Sequence, residues 1–300
     1  MVQMRRAALA AMLVLLVCLV AFGAFAADGK PKVVVGSKDF TESILISEIF
    51  AQALEARGFT VDRKQALGGT AIIQAAMKAG QVNLYPEYTS TALITVLGEA
   101  PEFDPAAAYE KVKRGYAERF DFVLLDMAAL NNSQGLAITK EAADKYGVKT
   151  LTDLSQAAPN LRLCATPEFE ERDDGLAGLK KRLGGFAFAS VKVFDKGIKY
   201  EVLRKGQADV NVCFTTDAHL SKGDIVAVRD DIAFWPPYNL VPIVRGDVLK
   251  AAPEIAETIN PIVAALDSAT MQKLNAAVDL EQKEYREVAA AFLKEKGLAK

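Results

Sequence analysis

The chain holds one histidine, His219, one tryptophan, Trp235, and three cysteines in 300 residues, and each scarcity removes a class of chemistry. With a single imidazole and no CxxC spacing there is no encoded set of ligands for a transition metal. His219 follows Asp217-Ala218 without a nucleophile elbow or an obvious partner, which argues against hydrolysis through a Ser-His-Asp relay. Basic residues are in slight deficit, 36 against 38 acidic, so there is no basic field to hold a nucleic acid. Leu67-Gly68-Gly69-Thr70 lacks the Gly-Lys-Ser/Thr ending of a P-loop and the Gly-x-Gly-x-x-Gly of a dinucleotide fold. No nucleotide and no other cofactor is indicated.

What is present is a globular composition, 51% hydrophobic and 25% charged, behind an export signal. Arg5-Arg6 form a positive start, Ala7 to Phe25 is uncharged and apolar, and Ala24-Phe25-Ala26 is a small-residue cleavage site, so residues 1–26 read as a signal peptide and the mature chain as periplasmic. A run of about 19 apolar residues also approaches spanning length, but the cleavage site at its end favours removal. A lipoprotein reading through Cys18 is weaker still, because Val17 precedes it where a small residue is expected and the apolar run continues past it. Removal takes Arg5 and Arg6 and leaves 34 basic residues against 38 acidic. In an oxidising compartment the remaining Cys164 and Cys213 allow two readings, a disulfide between neighbouring strands or two small buried hydrophobes.

The mature sequence reads as α/β, with apolar strand-like runs alternating with helical periodicity. Lys32 to Val35 leads through Gly36-Ser37-Lys38-Asp39-Phe40 into a helix near Thr41 to Arg57, with Thr41 as its cap. A second strand near Thr60 to Arg63 precedes the diglycine and a helix capped by Thr70. The run Val82 to Tyr85 is expected to end at Pro86, which has no amide hydrogen for a central ladder. The loop after it, Glu87-Tyr88-Thr89-Ser90-Thr91, then lies where ligands bind in open α/β sheets.

That stretch has an echo. Gly80 to Thr91 aligns without gaps on Gly206 to Asp217, which sets Tyr88 opposite Phe214 and Thr91 opposite Asp217. Two lobes on one plan follow, with an aromatic wall of the cleft from each. Residues 30–131 and 239–300 form lobe 1, residues 132–238 lobe 2, and the crossovers lie near 131–137 and 235–242. Lys38 stands in a strand-to-helix turn, placed to meet an anion, and Gln134 stands by the hinge. Arg172 lies among four acids in a loop whose charge density marks it as solvated, and Tyr238 follows Pro236-Pro237 at the lobe junction.

Six blocks in order carry a resemblance: Val33 to Glu42, Leu67 to Thr70, Leu84 to Thr91, Pro167-Glu168-Phe169, Phe214-Thr215-Thr216-Asp217 and Pro236-Pro237-Tyr238. They resemble the substrate-binding proteins of osmoprotectant ABC importers, the binders of glycine betaine, choline and carnitine, over the whole mature chain. The Asn132-Ser133-Gln134-Gly135 variant looks most like their osmotically regulated periplasmic branch, OsmF or YehZ.

The resemblance implies a type II clamshell of two mixed sheets flanked by helices with a two-strand hinge. It also implies a monomer that closes on a small zwitterion or quaternary amine and docks on a permease, with no catalytic step. The family's four cage tyrosines fall on Tyr88, Gln134, Phe214 and Tyr238, and its carboxylate-holding positions on Lys38, Thr91 and Arg172. Phe214 keeps a ring face, whereas Gln134 offers an amide and no cation–π contact. The cage is incomplete, so either betaines bind more weakly or the ligand carries groups that Gln134 can satisfy. A solute-sensing receptor subunit, acting through a separate partner, is the other class.

Overall fold

The computed structural model describes residues 30–194 and 198–298; the export signal read at residues 1–26 lies outside them. Among the described residues ten strands fall into two five-stranded sheets. The first contains β1 (Val33–Gly36), β2 (Val61–Lys64), β3 (Leu84–Tyr88), β4 (Phe122–Leu124) and β10 (Leu240–Arg245) in the order β2-β1-β3-β10-β4. The second contains β5 (Gln134–Thr139), β6 (Arg162–Ala165), β7 (Ser190–Val193), β8 (Val210–Phe214) and β9 (Ile225–Ala227) in the order β7-β6-β8-β5-β9.

Both sheets are mixed, and they repeat one plan. In each, two parallel strands lead to a third, β3 or β8, and an antiparallel strand, β10 or β5, lies beside it. The echo is therefore structural. Leu84–Tyr88 and Val210–Phe214 are equivalent five-residue strands, and Tyr88 and Phe214 are their last residues. The antiparallel neighbours place Leu240 opposite Tyr88 and Gln134 opposite Phe214.

The chain passes from one sheet to the other between Leu124 and Gln134 and returns between Ala227 and Leu240. The two legs pair with each other. Asn131 bridges Asn239 antiparallel, Asn132 N donates to Tyr238 O at 3.0 Å, and Leu240 N donates to Leu130 O at 3.1 Å.

One expectation about β3 is corrected. The strand runs through Pro86, which sits directly opposite Pro242 of β10. Pro242 turns its carbonyl towards β4, where Leu125 N donates to it at 3.0 Å. The two prolines are thus a non-hydrogen-bonded pair, and neither is asked to donate across the β3–β10 ladder.

Helix α1 (Thr41–Ala56) follows β1 and packs on the first sheet through Leu45, Ile46, Ile49, Ala53 and Leu54, all buried. Phe40 is its N-cap, and Thr41, its first residue, instead donates from its hydroxyl to Asp279 Oδ1 at 2.6 Å. Helix α2 (Thr70–Lys78) is likewise capped by Gly69 rather than by Thr70. The amphipathic tail helices Glu254–Ala264 and Tyr285–Glu295 pack back on α1, and Ser268–Asp279, between them in sequence, touches both α1 and the Ala218–Lys222 turn of the second lobe.

The disulfide reading is also corrected. Cys164 and Cys213 are free, buried thiols. Cys164 of β6 stands opposite Asn211 of the parallel strand β8, so Cys213 is one strand across and two residues along. That diagonal is about 8 Å at ordinary sheet spacings, beyond the roughly 7 Å a bridge spans. Burial pushes the two thiols up to about 11 and about 12.

Candidate functional site

The carboxyl ends of β1, β3 and β8 and the two crossover legs converge on a cavity of about 50 Å3. All seven side chains singled out from the sequence, Lys38, Tyr88, Thr91, Gln134, Arg172, Phe214 and Tyr238, line it. Tyr88 and Phe214 arrive there because each ends the central strand of its own sheet.

Phe40, not named as a site residue from the sequence, stands between them. Its ring centroid is 6.2 Å from that of Tyr88 and 6.1 Å from that of Phe214, and it stacks on Phe214 at 15°. Such a pair contributes about 0.5–1.5 kcal/mol beyond buried area. The turn Gly36 to Phe40, which leaves β1 for α1, was the signal for it, since that turn ends at the same edge of the sheet as Tyr88.

Lys38 does meet an anion, but one belonging to the protein. It ion-pairs with the fully buried Glu87 and donates to Thr70 Oγ1 at 3.3 Å. Glu87 Oε1 also accepts from Tyr88 N at 2.8 Å, and its Oε2 accepts from Tyr85 Oη at 3.2 Å.

Arg172 corrects the solvated-loop expectation. Residues Pro167–Glu171 form a short helix, and the chain beyond it turns inward. Arg172 grips Asp174 with two nitrogens, Nε to Oδ1 at 2.6 Å and Nη2 to Oδ2, and the Asp174 side chain is 1% exposed. Burial works against the guanidinium charge, but Asp174 more than offsets it and raises the Arg172 pKa further. Asp174 Oδ2 also accepts from Tyr238 Oη and from Gln134 Nε2 at 2.9 Å, and Gln134 Nε2 donates to Tyr238 Oη at 3.2 Å. Trp235 Nε1 donates to the backbone oxygen of Asp174 at 2.9 Å. Glycine fixes this loop: a Cβ on Gly178 would fall 1.7 Å from the Asp173 carbonyl oxygen.

A second missed residue is Glu42, in the first turn of α1 and 2% exposed. Its Oε1 accepts from Tyr88 Oη at 2.6 Å and Asn132 Nδ2 at 2.8 Å, and its Oε2 from Thr216 Oγ1 at 2.6 Å and Asn275 Nδ2 at 3.0 Å. Burial nevertheless pushes the Glu42 carboxyl above its ordinary range. Burial, and then the Glu42 charge, likewise raise the Tyr88 phenol. Glu168, from the second lobe, reaches the start of α2, where Thr70 N donates to its Oε1 at 3.3 Å. A Cβ on Gly69 would lie 1.7 Å from that oxygen.

His219 lies away from this cavity, stacked on Tyr200 with centroids 4.5 Å apart and in contact with Arg204. Burial, followed by the Arg204 charge, lowers its pKa. Among the described residues there is no grouping of His, Cys, Asp and Glu able to hold a metal, and no helix long and apolar enough to cross a membrane.

A family model described as the substrate-binding domain of ABC-type glycine betaine transport systems matches residues 31–295. A glycine-betaine-binding protein of Pseudomonas aeruginosa is 35% identical over 271 residues, 87% of this chain and 86% of that one. The glycine betaine-binding protein YehZ of Escherichia coli is 32% identical over 279 residues, 89% of this chain and 92% of that one. Among solved structures, a glycine betaine/carnitine/choline ABC transporter chain aligns with a TM-score of 0.71 at 30% identity, covering 89% of this chain and 100% of that one. Cleft, repeated lobes and sequence agree, and the chain belongs to the OpuAC family, the substrate-binding domains of ABC-type glycine betaine transport systems.

Proposed function

We propose that this is an extracytoplasmic solute-binding protein that captures a quaternary-ammonium solute of the glycine betaine type between its lobes and delivers it to an ABC permease. The observation that carries this reading is the convergence of Tyr88 from one sheet, Phe214 from the other and Tyr238 from the return leg on one cavity. A trimethylammonium head has no hydrogen to donate, so ring faces are what can recognise it, at roughly 0.5–2 kcal/mol each. The relatives named for glycine betaine support the same class.

Closure supplies the mechanism. The cavity lies between the lobes, lined by Tyr88 from one sheet and Phe214 from the other, so a trimethylammonium group enters when the lobes part. A ligand that touches Tyr88 and Phe214 together favours the closed state by contacts the open state lacks. Hydrogen bonds across the cleft, from Thr216 to Glu42 and from Thr70 to Glu168, form in the same movement. Lys38, Thr91 and Arg172 line the ligand's other end and Gln134 replaces one ring. No bond is made or broken, and the protein is periplasmic after loss of residues 1–26.

Calorimetric titration of the purified protein, stripped of co-purified ligand, with glycine betaine, proline betaine, choline, carnitine, ergothioneine and basic amino acids tests this. Saturable binding of a quaternary ammonium at one site per chain is expected. Binding of a basic amino acid alone would support the second reading, a cage altered by Gln134 for another ligand.

A further inference from the structure

We infer that the cleft holds a second ligand site, for a small primary amine, in a cavity distinct from the one lined by Tyr88 and Tyr238. This second cavity, of about 160 Å3, shares Phe40, Asn132 and Phe214 with the first, but Lys38, Tyr88, Gln134, Arg172 and Tyr238 are not on its walls. Its walls come from both lobes, with Thr41, Glu42 and Asp279 from the first and Lys199, Thr216 and Asp217 from the second. An ammonium is already recognised there, and it is the protein's own. Lys199 Nζ pairs with Asp217 Oδ2 at 2.6 Å and lies 4.6 Å from the Phe214 ring centroid and 5.1 Å from that of Tyr200, and a carboxylate with ring faces is what holds a cation.

Lys199 is spent on Asp217, and two further acids on the wall have no such partner. Among the described residues the hydrogen-bond donors to Glu42 are Tyr88, Asn132, Thr216 and Asn275, and the donor to Asp279 is Thr41, all of them neutral. Burial pushes both carboxyls above their ordinary range, and a cation bound beside them would favour their charged forms.

The amides of the wall point to the same ligand without any appeal to charge. Asn132 and Asn275, 5% and 3% exposed, line this cavity and give their amide nitrogens to Glu42, which settles which end of each amide is the oxygen. Each of those oxygens is buried and accepts no hydrogen bond among the described residues. Unmet buried acceptors call for N–H donors. A primary ammonium carries three such hydrogens and a quaternary ammonium none, so the two cavities differ in kind: one recognises by ring faces, the other by acceptors.

The probe is 1,4-diaminobutane, titrated calorimetrically at low salt into the purified protein, first alone and then with glycine betaine at saturation. One saturable site per chain is expected, with a dissociation constant of about 1 mM or tighter, and glycine betaine should not displace the diamine. Asp279→Asn keeps an oxygen for the Thr41 hydroxyl and removes the charge. It is expected to weaken the diamine at least about tenfold while glycine betaine binds as it does to the wild type. The inference is overturned if the diamine shows no saturable binding, or if Asp279→Asn leaves its affinity unchanged. Competition between the diamine and glycine betaine also overturns it, because both would then occupy the cavity of Tyr88 and Tyr238. Should the Asp279→Asn protein fail to fold, as judged by its melting curve, the competition decides. Absence of binding by every quaternary ammonium would overturn the functional reading alone, and the response of the diamine to Asp279→Asn would still decide this site.

Discussion

Thr216 Oγ1 donates to Glu42 Oε2 at 2.6 Å, joining the loop after β8 to the first turn of α1 across the cleft. The same carboxylate holds Tyr88, Asn132 and Asn275, so one side chain ties a cage ring, a crossover leg and a tail helix together. Glu42→Ala leaves four buried donors without this acceptor and is expected to cost about 2–4 kcal/mol in urea unfolding. Small-angle scattering should show a larger radius of gyration for the ligand-free variant. A variant as stable and as compact as the wild type would contradict the latch.

The raised Glu42 pKa gives a pH dependence with a definite sign. The folded protein holds this proton more firmly than the unfolded chain, whose carboxyl titrates near the ordinary 4.5. The stability it contributes is fully present below that value and is lost as pH rises through the raised one. The stability difference between wild type and Glu42→Gln should therefore fall as pH increases from about 4.5, in urea titrations at a series of pH values. A difference that grows with pH would reverse the assignment.

Two glycine substitutions should separate loop damage from lobe damage. Gly178→Ala drives a Cβ into backbone, the Asp173 carbonyl oxygen, so the Arg172–Asp174 loop must shift, with an expected loss of about 1–3 kcal/mol and of ligand affinity. Gly69→Ala meets the tip of Glu168, a flexible side chain of the other lobe that can swing aside. Its melting temperature should stay within a few degrees of wild type while ligand binding weakens. Equal effects of the two on melting and on affinity would count against this division.

The buried thiols give a chemical check. Cys164 and Cys213, pushed up to about 11 and about 12 by burial, should react negligibly with a thiol reagent at pH 8 in the native protein and fully after unfolding in urea without reductant. Protein whose unfolded chain shows neither thiol would reveal a bridge.

Most of the lobes' plan was legible in the sequence because it is periodic. The repeat Gly80 to Thr91 on Gly206 to Asp217 set Tyr88 and Phe214 at equivalent places in two strand-and-loop units, and the motif blocks held five of the seven lining residues, Gln134 and Arg172 lying outside them. What was not legible depends on pairing across long sequence separations. That Pro86 lies inside a strand follows from Pro242, opposite it on a strand more than a hundred residues later. That Asp174 is buried and Arg172 half-buried follows from Gln134, Tyr238 and Trp235 closing over a loop whose own composition looks solvated. Glu42 reads as an ordinary first-turn acid until Thr216 and Asn275 are brought to it. The missing bridge depends on register, which places Cys164 beside Asn211 rather than Cys213.

The most direct test of a ring-lined site shared by two lobes is the calorimetric affinity of choline and glycine betaine for wild type, Tyr88→Ala and Phe214→Ala. The wild type should bind at one site per chain, and each variant, though its mutation lies in a different lobe, should lose at least about tenfold in affinity for whichever ligand binds. Unchanged affinity in both variants would contradict the account, because a quaternary ammonium held between these lobes cannot be indifferent to both rings.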